Sequence, residues 1–140
     1  MSIRFDGRVA IVTGAGAGLG RSHALGLAAR GAKVVVNDLG AATDGSGASS
    51  EAARSVVEEI RAKGGHAIAN GANVTNEAQV QTMIDEAIAE FGHVDILVNN
   101  AGILRDKTFG KMGLPDFRLV LDVHLMGATL CTHAVWRHMC

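Results

Sequence analysis

Short β-branched apolar runs alternate along this chain with longer segments whose apolar residues recur at helical spacing. Arg8–Thr13 is the first run, broken by the glycines of 14–20, and Arg21–Arg30 carries helix formers up to the stop at Gly31. Lys33–Asn37 is a second buried strand, and residues 40–50, rich in Gly, Ala and Ser, read as a surface loop. In 51–63, Ala53, Val56, Val57 and Ile60 mark one helix face, ended by Gly64-Gly65. His66–Asn70 is a weaker strand. Thr75 or Asn76 caps a helix running to Phe91, with Val80, Met83, Ile84, Ala87 and Ile88 inside. Val94–Asn99 is the fourth strand. A loop then reaches Pro115, and a last helix from about Asp116 places Phe117, Val120, Leu121, Leu125 and Met126 on its apolar side.

Strands apolar throughout and separated by helices imply a parallel sheet covered on both faces. Right-handed crossovers make this an α/β, Rossmann-type doubly wound sheet, here with about four strands and therefore incomplete. The 140 residues allow one domain, 1–140. Hydrophobic residues at 48% and charged residues at 19% exclude general disorder. A net charge of −1, without a run of Lys or Arg, argues against nucleic-acid or anionic-membrane partners. The apolar runs are too short to suggest a membrane span. Two cysteines near the end, Cys131 and Cys140, make no disulfide framework, so a cytoplasmic protein is expected. With His133 and His138 they resemble a metal pattern, but Cys131 and His133 point about 200° apart on one helix. A structural role is expected of them.

The chemistry concentrates in Thr13-Gly14-Ala15-Gly16-Ala17-Gly18-Leu19-Gly20, between a strand and a helix. Glycines there allow a tight turn and let backbone N–H groups approach a pyrophosphate, while the helix N-terminus adds partial positive charge. A dinucleotide is the expected ligand, against the plainer reading of a structural turn. Asp38 ends the second strand, 18 positions (38 − 20) after Gly20. A carboxylate there accepts hydrogen bonds from the adenosine ribose hydroxyls and repels a 2′-phosphate. Neither Ala17 nor Leu39 supplies a cation, so NAD is expected over NADP. A solvated Asp at a strand end is the alternative.

TGxxxGxG, Asp38 and then Asn99-Asn100-Ala101-Gly102 after the fourth strand resemble the short-chain dehydrogenase/reductase family, over the chain from about Phe5 to Met139. The segments Val12–Arg21, Val34–Gly40, Asn99–Asp106 and Val123–Gly127 are similar to the (3R)-hydroxyacyl-CoA dehydrogenase units of multifunctional β-oxidation enzymes. The resemblance implies that Gly14, Gly18 and Gly20, with Leu19, cradle the cofactor phosphates and the nicotinamide side. It implies that Asp38 holds the adenosine ribose. Asn73 and Val74 stand where the family has Asp-Val beside the adenine. Asn100 is expected to meet the cofactor through its backbone, with Asn99 bracing the strand.

His124 stands where most of the family has the Asn of its catalytic tetrad, and a supporting part in a proton relay is implied. A histidine packed on a helix surface is the plain alternative. The family's general base is a Tyr within YxxxK. This chain contains no Tyr, and its lysines, Lys33, Lys63, Lys107 and Lys111, are not placed to serve. The expectation is therefore the cofactor-binding half of a longer enzyme, inactive alone. The enzyme would oxidise a secondary alcohol of a small-molecule substrate with NAD, a (3R)-hydroxyacyl-CoA first and a steroid or other secondary alcohol as the runner-up. A homodimer or tetramer through the last helix is implied, placing Trp136 at an interface. The competing expectation is a non-catalytic NAD-binding module or redox sensor.

Overall fold

The computed structural model describes residues 3–40 and 51–140; the loop expected over 40–50 falls, apart from Gly40, outside the described residues. The elements run β1 (Val9–Val12), α1 (Gly18–Ala29), β2 (Lys33–Asn37), α2 (Glu51–Ala62), β3 (Ala67–Asn70), α3 (Glu77–Phe91) and β4 (Ile96–Val98). A 3-10 turn (Phe109–Lys111), α4 (Leu114–Leu121), a π-helical turn (Asp122–Met126) and α5 (Gly127–Met139) follow. The four strands are parallel in the order β3-β2-β1-β4. This is the expected Rossmann-type sheet.

Strand period places alternate side chains on opposite faces. Val12, Val34 and Val36 pack with Ala24, Val56 and Ile60 of α1 and α2. Ile11 and Val35 pack with Met83 and Ile84 of α3 and with Cys131 and Val135 of α5. Every residue of β1 is fully buried, and each Val or Ile so buried contributes about 1.5–3 kcal/mol. β1 and β4 stay paired to their C-terminal ends, but the helices that follow them pack on opposite faces of the sheet, and a crevice forms at that switch point.

Asn76 caps α3, its side chain accepting from the Gln79 N–H at 3.0 Å, and Gly92 closes that helix at φ +91°. The last helix departs from expectation in two respects. It begins at Leu114, with Pro115 in its first turn where a missing N–H costs nothing. It also inserts the π turn, which advances the helix by one residue and rotates the later face by about 100°. After it Gly127, Cys131 and Val135 are buried, while Leu125 and Met126 within it, expected on the apolar side, are exposed; ahead of it Phe117 and Leu121 are exposed as well and Val120 is half-buried, because α4 has no buried residue. Burial pushes the Cys131 thiol up to about 11, so it stays protonated at neutral pH.

The helical stretch Leu114–Met139 spans 26 residues and by length and composition reaches what a bilayer crossing needs. Asp122 is its one formal charge between Leu119 and Trp136. Its Thr and His residues interrupt the apolar runs without adding charge, so run length alone does not reveal the stretch. α5 nevertheless seats Cys131 and Val135 in the core against α3, the placement of a helix covering a sheet.

Candidate functional site

At the C-terminal ends of β1, β2 and β4 a cleft of about 290 Å³ opens. Of the residues singled out by sequence, Gly14, Asp38, Asn73, Val74 and Asn100 line it. Gly18, Leu19 and Gly20 do not; they form the start of α1 behind Gly14. His124 lines an adjoining hollow of about 120 Å³, shared with Thr13, Val74 and Asn100.

The turn from β1 into α1 needs its glycines for two different reasons. Gly14 and Gly18 hold φ +62° and +57°, a region L side chains rarely adopt. Gly20 is required by space, since a Cβ there would strike the Gly14 carbonyl oxygen and the Asn100 amide. The α1 N-terminus has no side-chain cap and no acid in its first turn, so its leading amides face outward without a side-chain acceptor. Among the described residues, nothing lies within 4 Å of a Cβ built at Gly18. An uncapped helix start behind open space is what a pyrophosphate requires.

Asp38 is held from two sides. Its Oδ2 accepts from the Gly16 N–H at 2.8 Å and its Oδ1 from the Gly40 N–H at 2.7 Å. Gly16 must be Gly for this, because a Cβ would sit 2.6 Å from Asp38 Oδ2. Each carboxylate oxygen retains lone-pair capacity for a further donor.

Asn73 serves the loop before α3. Its Oδ1 accepts from Thr75 N–H at 2.9 Å and Thr75 Oγ1–H at 2.7 Å, and its own N–H donates to Gln79 Oε1 at 2.8 Å. With the oxygen so occupied, the Asn73 amide nitrogen is the group left for a ligand. Val74 packs its methyls against Gly127, where a Cβ would come within 2.7 Å.

The side chains of both asparagines after β4 make bracing contacts. The Asn100 side chain donates from Nδ2 to the Gly14 carbonyl at 3.1 Å. Asn99 reaches Thr132 Oγ1 on α5 at 3.1 Å. The Asn100 N–H is already engaged, with the Val98 carbonyl at 3.0 Å and Thr13 Oγ1 at 3.1 Å. Of its backbone groups, the carbonyl is therefore the one available to a ligand.

Thr13 opens the glycine motif but carries no role of its own in the sequence reading, yet it joins β1 to this segment. Its buried hydroxyl accepts from the N–H groups of Asn100 and Ala101, at 3.1 and 3.0 Å. Replacing Thr13 by Val, which keeps the shape, strips the Ala101 N–H of that acceptor. Thermal unfolding should show a loss of about 1–3 kcal/mol, which Thr13→Ser should largely avoid. Equal stability of Thr13→Val and the parent would contradict this role. A hydroxyl at the end of an otherwise apolar strand was the available signal.

His124 lies exposed in the π turn, its ring against Gly102, where a Cβ would come within 2.6 Å of Cε1. Its Nε2 stands 3.0 Å from Ile103 N and 2.9 Å from Ile103 O. One tautomer accepts from that N–H and the other donates to that carbonyl.

A profile described as short chain dehydrogenase matches residues 8–140. The chain belongs to the short-chain dehydrogenase family. Peroxisomal multifunctional enzyme type 2 of Drosophila melanogaster is 58% identical over 137 residues, which cover 98% of this chain and 22% of that protein. Peroxisomal hydratase-dehydrogenase-epimerase of Saccharomyces cerevisiae is 51% identical over 138 residues, 99% of this chain and 15% of its own length. The chain thus spans under a quarter of these two relatives. Among solved structures, a 7α-hydroxysteroid dehydrogenase complexed with NADH and 7-oxo glycochenodeoxycholic acid superposes with a TM-score of 0.86. It is 40% identical, the match covering 97% of this chain and 49% of that one. A short-chain dehydrogenase is an oxidoreductase, and such enzymes act on small molecules.

Proposed function

We propose that residues 1–140 hold NAD for a short-chain dehydrogenase that oxidises the secondary alcohol of a (3R)-hydroxyacyl-CoA. The observation that carries the cofactor reading is the Asp38 carboxylate, fixed at the rim of the cleft by Gly16 and Gly40 beside an uncapped helix start. The neighbour complexed with NADH supports the nicotinamide cofactor. The names of the insect and yeast relatives support a dehydrogenase step within a multifunctional enzyme.

In this reading Gly14, Gly18, Leu19 and Gly20 present backbone to the pyrophosphate. Asp38 accepts from the adenosine ribose, and Asn73 and Val74 border the adenine. Asn100 offers its carbonyl and fixes Gly14. When bound, the nicotinamide ring supplies the hydride acceptor. His124 supports a proton relay beside the reacting groups while its Nε2 steadies Ile103. The phenolic base comes from residues other than these 140, which contain no Tyr. Subunits associate as a dimer or tetramer through the exposed face of α5, where Trp136 is 61% exposed. The cytoplasm is the proposed compartment, with the peroxisome in both relatives' names as the alternative.

The test is NADH formation from NAD and a (3R)-3-hydroxyacyl-CoA by the longer protein, these 140 residues alone being expected to bind NAD without turnover. NADH should appear with the 3R and not the 3S thioester. Binding of NAD by that longer protein without any turnover would overturn the dehydrogenase reading and favour a non-catalytic NAD-binding module.

A further inference from the structure

The sheet interior carries two polar side chains that neither the phosphate turn nor the ribose carboxylate explains. Asn37 is 1% exposed and Asn70 is 7% exposed, at the last paired positions of β2 and β3. Asn37 closes a strand whose preceding residues, Val34–Val36, are fully buried. An amide among them costs free energy unless its hydrogen bonds are made. Here they are made in a pattern that joins separate loops.

Asn37 Nδ2 uses both hydrogens, donating to Asn70 Oδ1 at 2.9 Å and to the Ala72 carbonyl at 3.0 Å. Asn70 Oδ1 accepts a second bond, from the Ala72 N–H at 2.8 Å. The main chain adds two links: the Ala15 N–H donates to the Asn37 carbonyl at 2.8 Å, and the Asp38 N–H to the Asn70 carbonyl at 2.9 Å. One buried residue thereby contacts the glycine-rich turn, precedes Asp38, and grips the chain just before Asn73. Beyond Asn37 and Asn70 the strands no longer pair, so Ala72 has no ladder partner to fix its distance from Asp38.

We infer that Asn37 is a positioning residue, setting the gap between the Asp38 wall and the Asn73–Val74 wall of the adenosine pocket. It acts through Asp38 and Ala72, and the inference rests on the NAD reading above. The sense of the bonds matters. Two acceptors face Asn37, and only a side chain with two donors on one atom serves both.

The experiment titrates the intact protein and its Asn37→Leu variant with NAD and, separately, NADP. Leu keeps the branched shape and adds no charge. The NAD Kd should rise about tenfold, while the NADP Kd, in which a loosened Asn73–Val74 wall is offset by a weakened Asp38 repulsion, changes by less than about twofold. The ratio of the two Kd values is the decisive readout, because a merely loosened fold would weaken both ligands together. Asn37→Ser, which retains one donor, should shift the ratio in the same direction by less and serves if the Leu variant does not fold. An unchanged ratio in a folded variant overturns the inference. Failure of the parent protein to bind NAD at all would instead overturn the cofactor reading.

Discussion

Asp38→Ala should raise the Kd for NAD by on the order of a hundredfold while changing that for NADP far less. The carboxylate is fixed before any ligand arrives, with Oδ2 on Gly16 and Oδ1 on Gly40 at 2.8 and 2.7 Å. Little ordering is therefore required of it on binding, and bonds from two ribose hydroxyls to a charged acceptor are together worth about 3 kcal/mol. NADP replaces one hydroxyl by a phosphate, which the same carboxylate repels. Removing Asp38 deletes an attraction for one cofactor and a repulsion for the other. Calorimetric titration of the variant with each cofactor measures both. Equal losses would contradict the ribose role and point to a loop-holding Asp.

Gly20→Ala should be among the most damaging single-methyl changes in the molecule, costing about 3 kcal/mol or more. The added Cβ would strike the Gly14 carbonyl oxygen and the Asn100 amide, and would lie 2.9 Å from the Gly14 carbonyl carbon. Those atoms belong to backbone and to a side chain already bonded across the turn, so relief requires α1 to move off β1. NAD binding should fall with stability, since the same shift displaces the pyrophosphate donors. The internal control is Gly26→Ala in the same helix. Among the described residues nothing lies within 4 Å of a Cβ built there, so helix propensity should stabilise it by about 0.5–1 kcal/mol. Thermal unfolding of the two variants should therefore move in opposite directions. A Gly20→Ala protein as stable as the parent would contradict the packing described for this turn.

Local patterns carried much of the fold. β2 lies over Lys33–Asn37 as its apolar run indicates, the buried face of α3 follows from period, and of the two capping candidates, Thr75 and Asn76, the helix uses Asn76. The glycine turn was legible because its requirements are local, namely positive φ and close approach. The last helix differs in its facing for two reasons: one inserted residue at Asp122–Met126 rotates everything after it and leaves no mark in hydrophobic period, and α4 ahead of it has no buried residue, so Phe117 and Leu121 stay exposed. Within the site, Asp38 was visible from its spacing to the glycines. The Asn37–Asn70 pair was not, since its members lie 33 positions apart and meet only through strand register. The role of Thr13 was missed for the same reason, its partners lying 87 and 88 residues away. Asn99 and Asn100 are adjacent and identical in type, so only the turn geometry assigns which one reaches Gly14.

The most direct measurement of the central claim is the Kd of the intact protein for NAD set beside that for NADP. An Asp38 carboxylate at the cleft rim, with no cation at Ala17 or Leu39, predicts binding of NAD and rejection of NADP by at least about tenfold. NADP binding as tightly as NAD, or no binding of either, would contradict it.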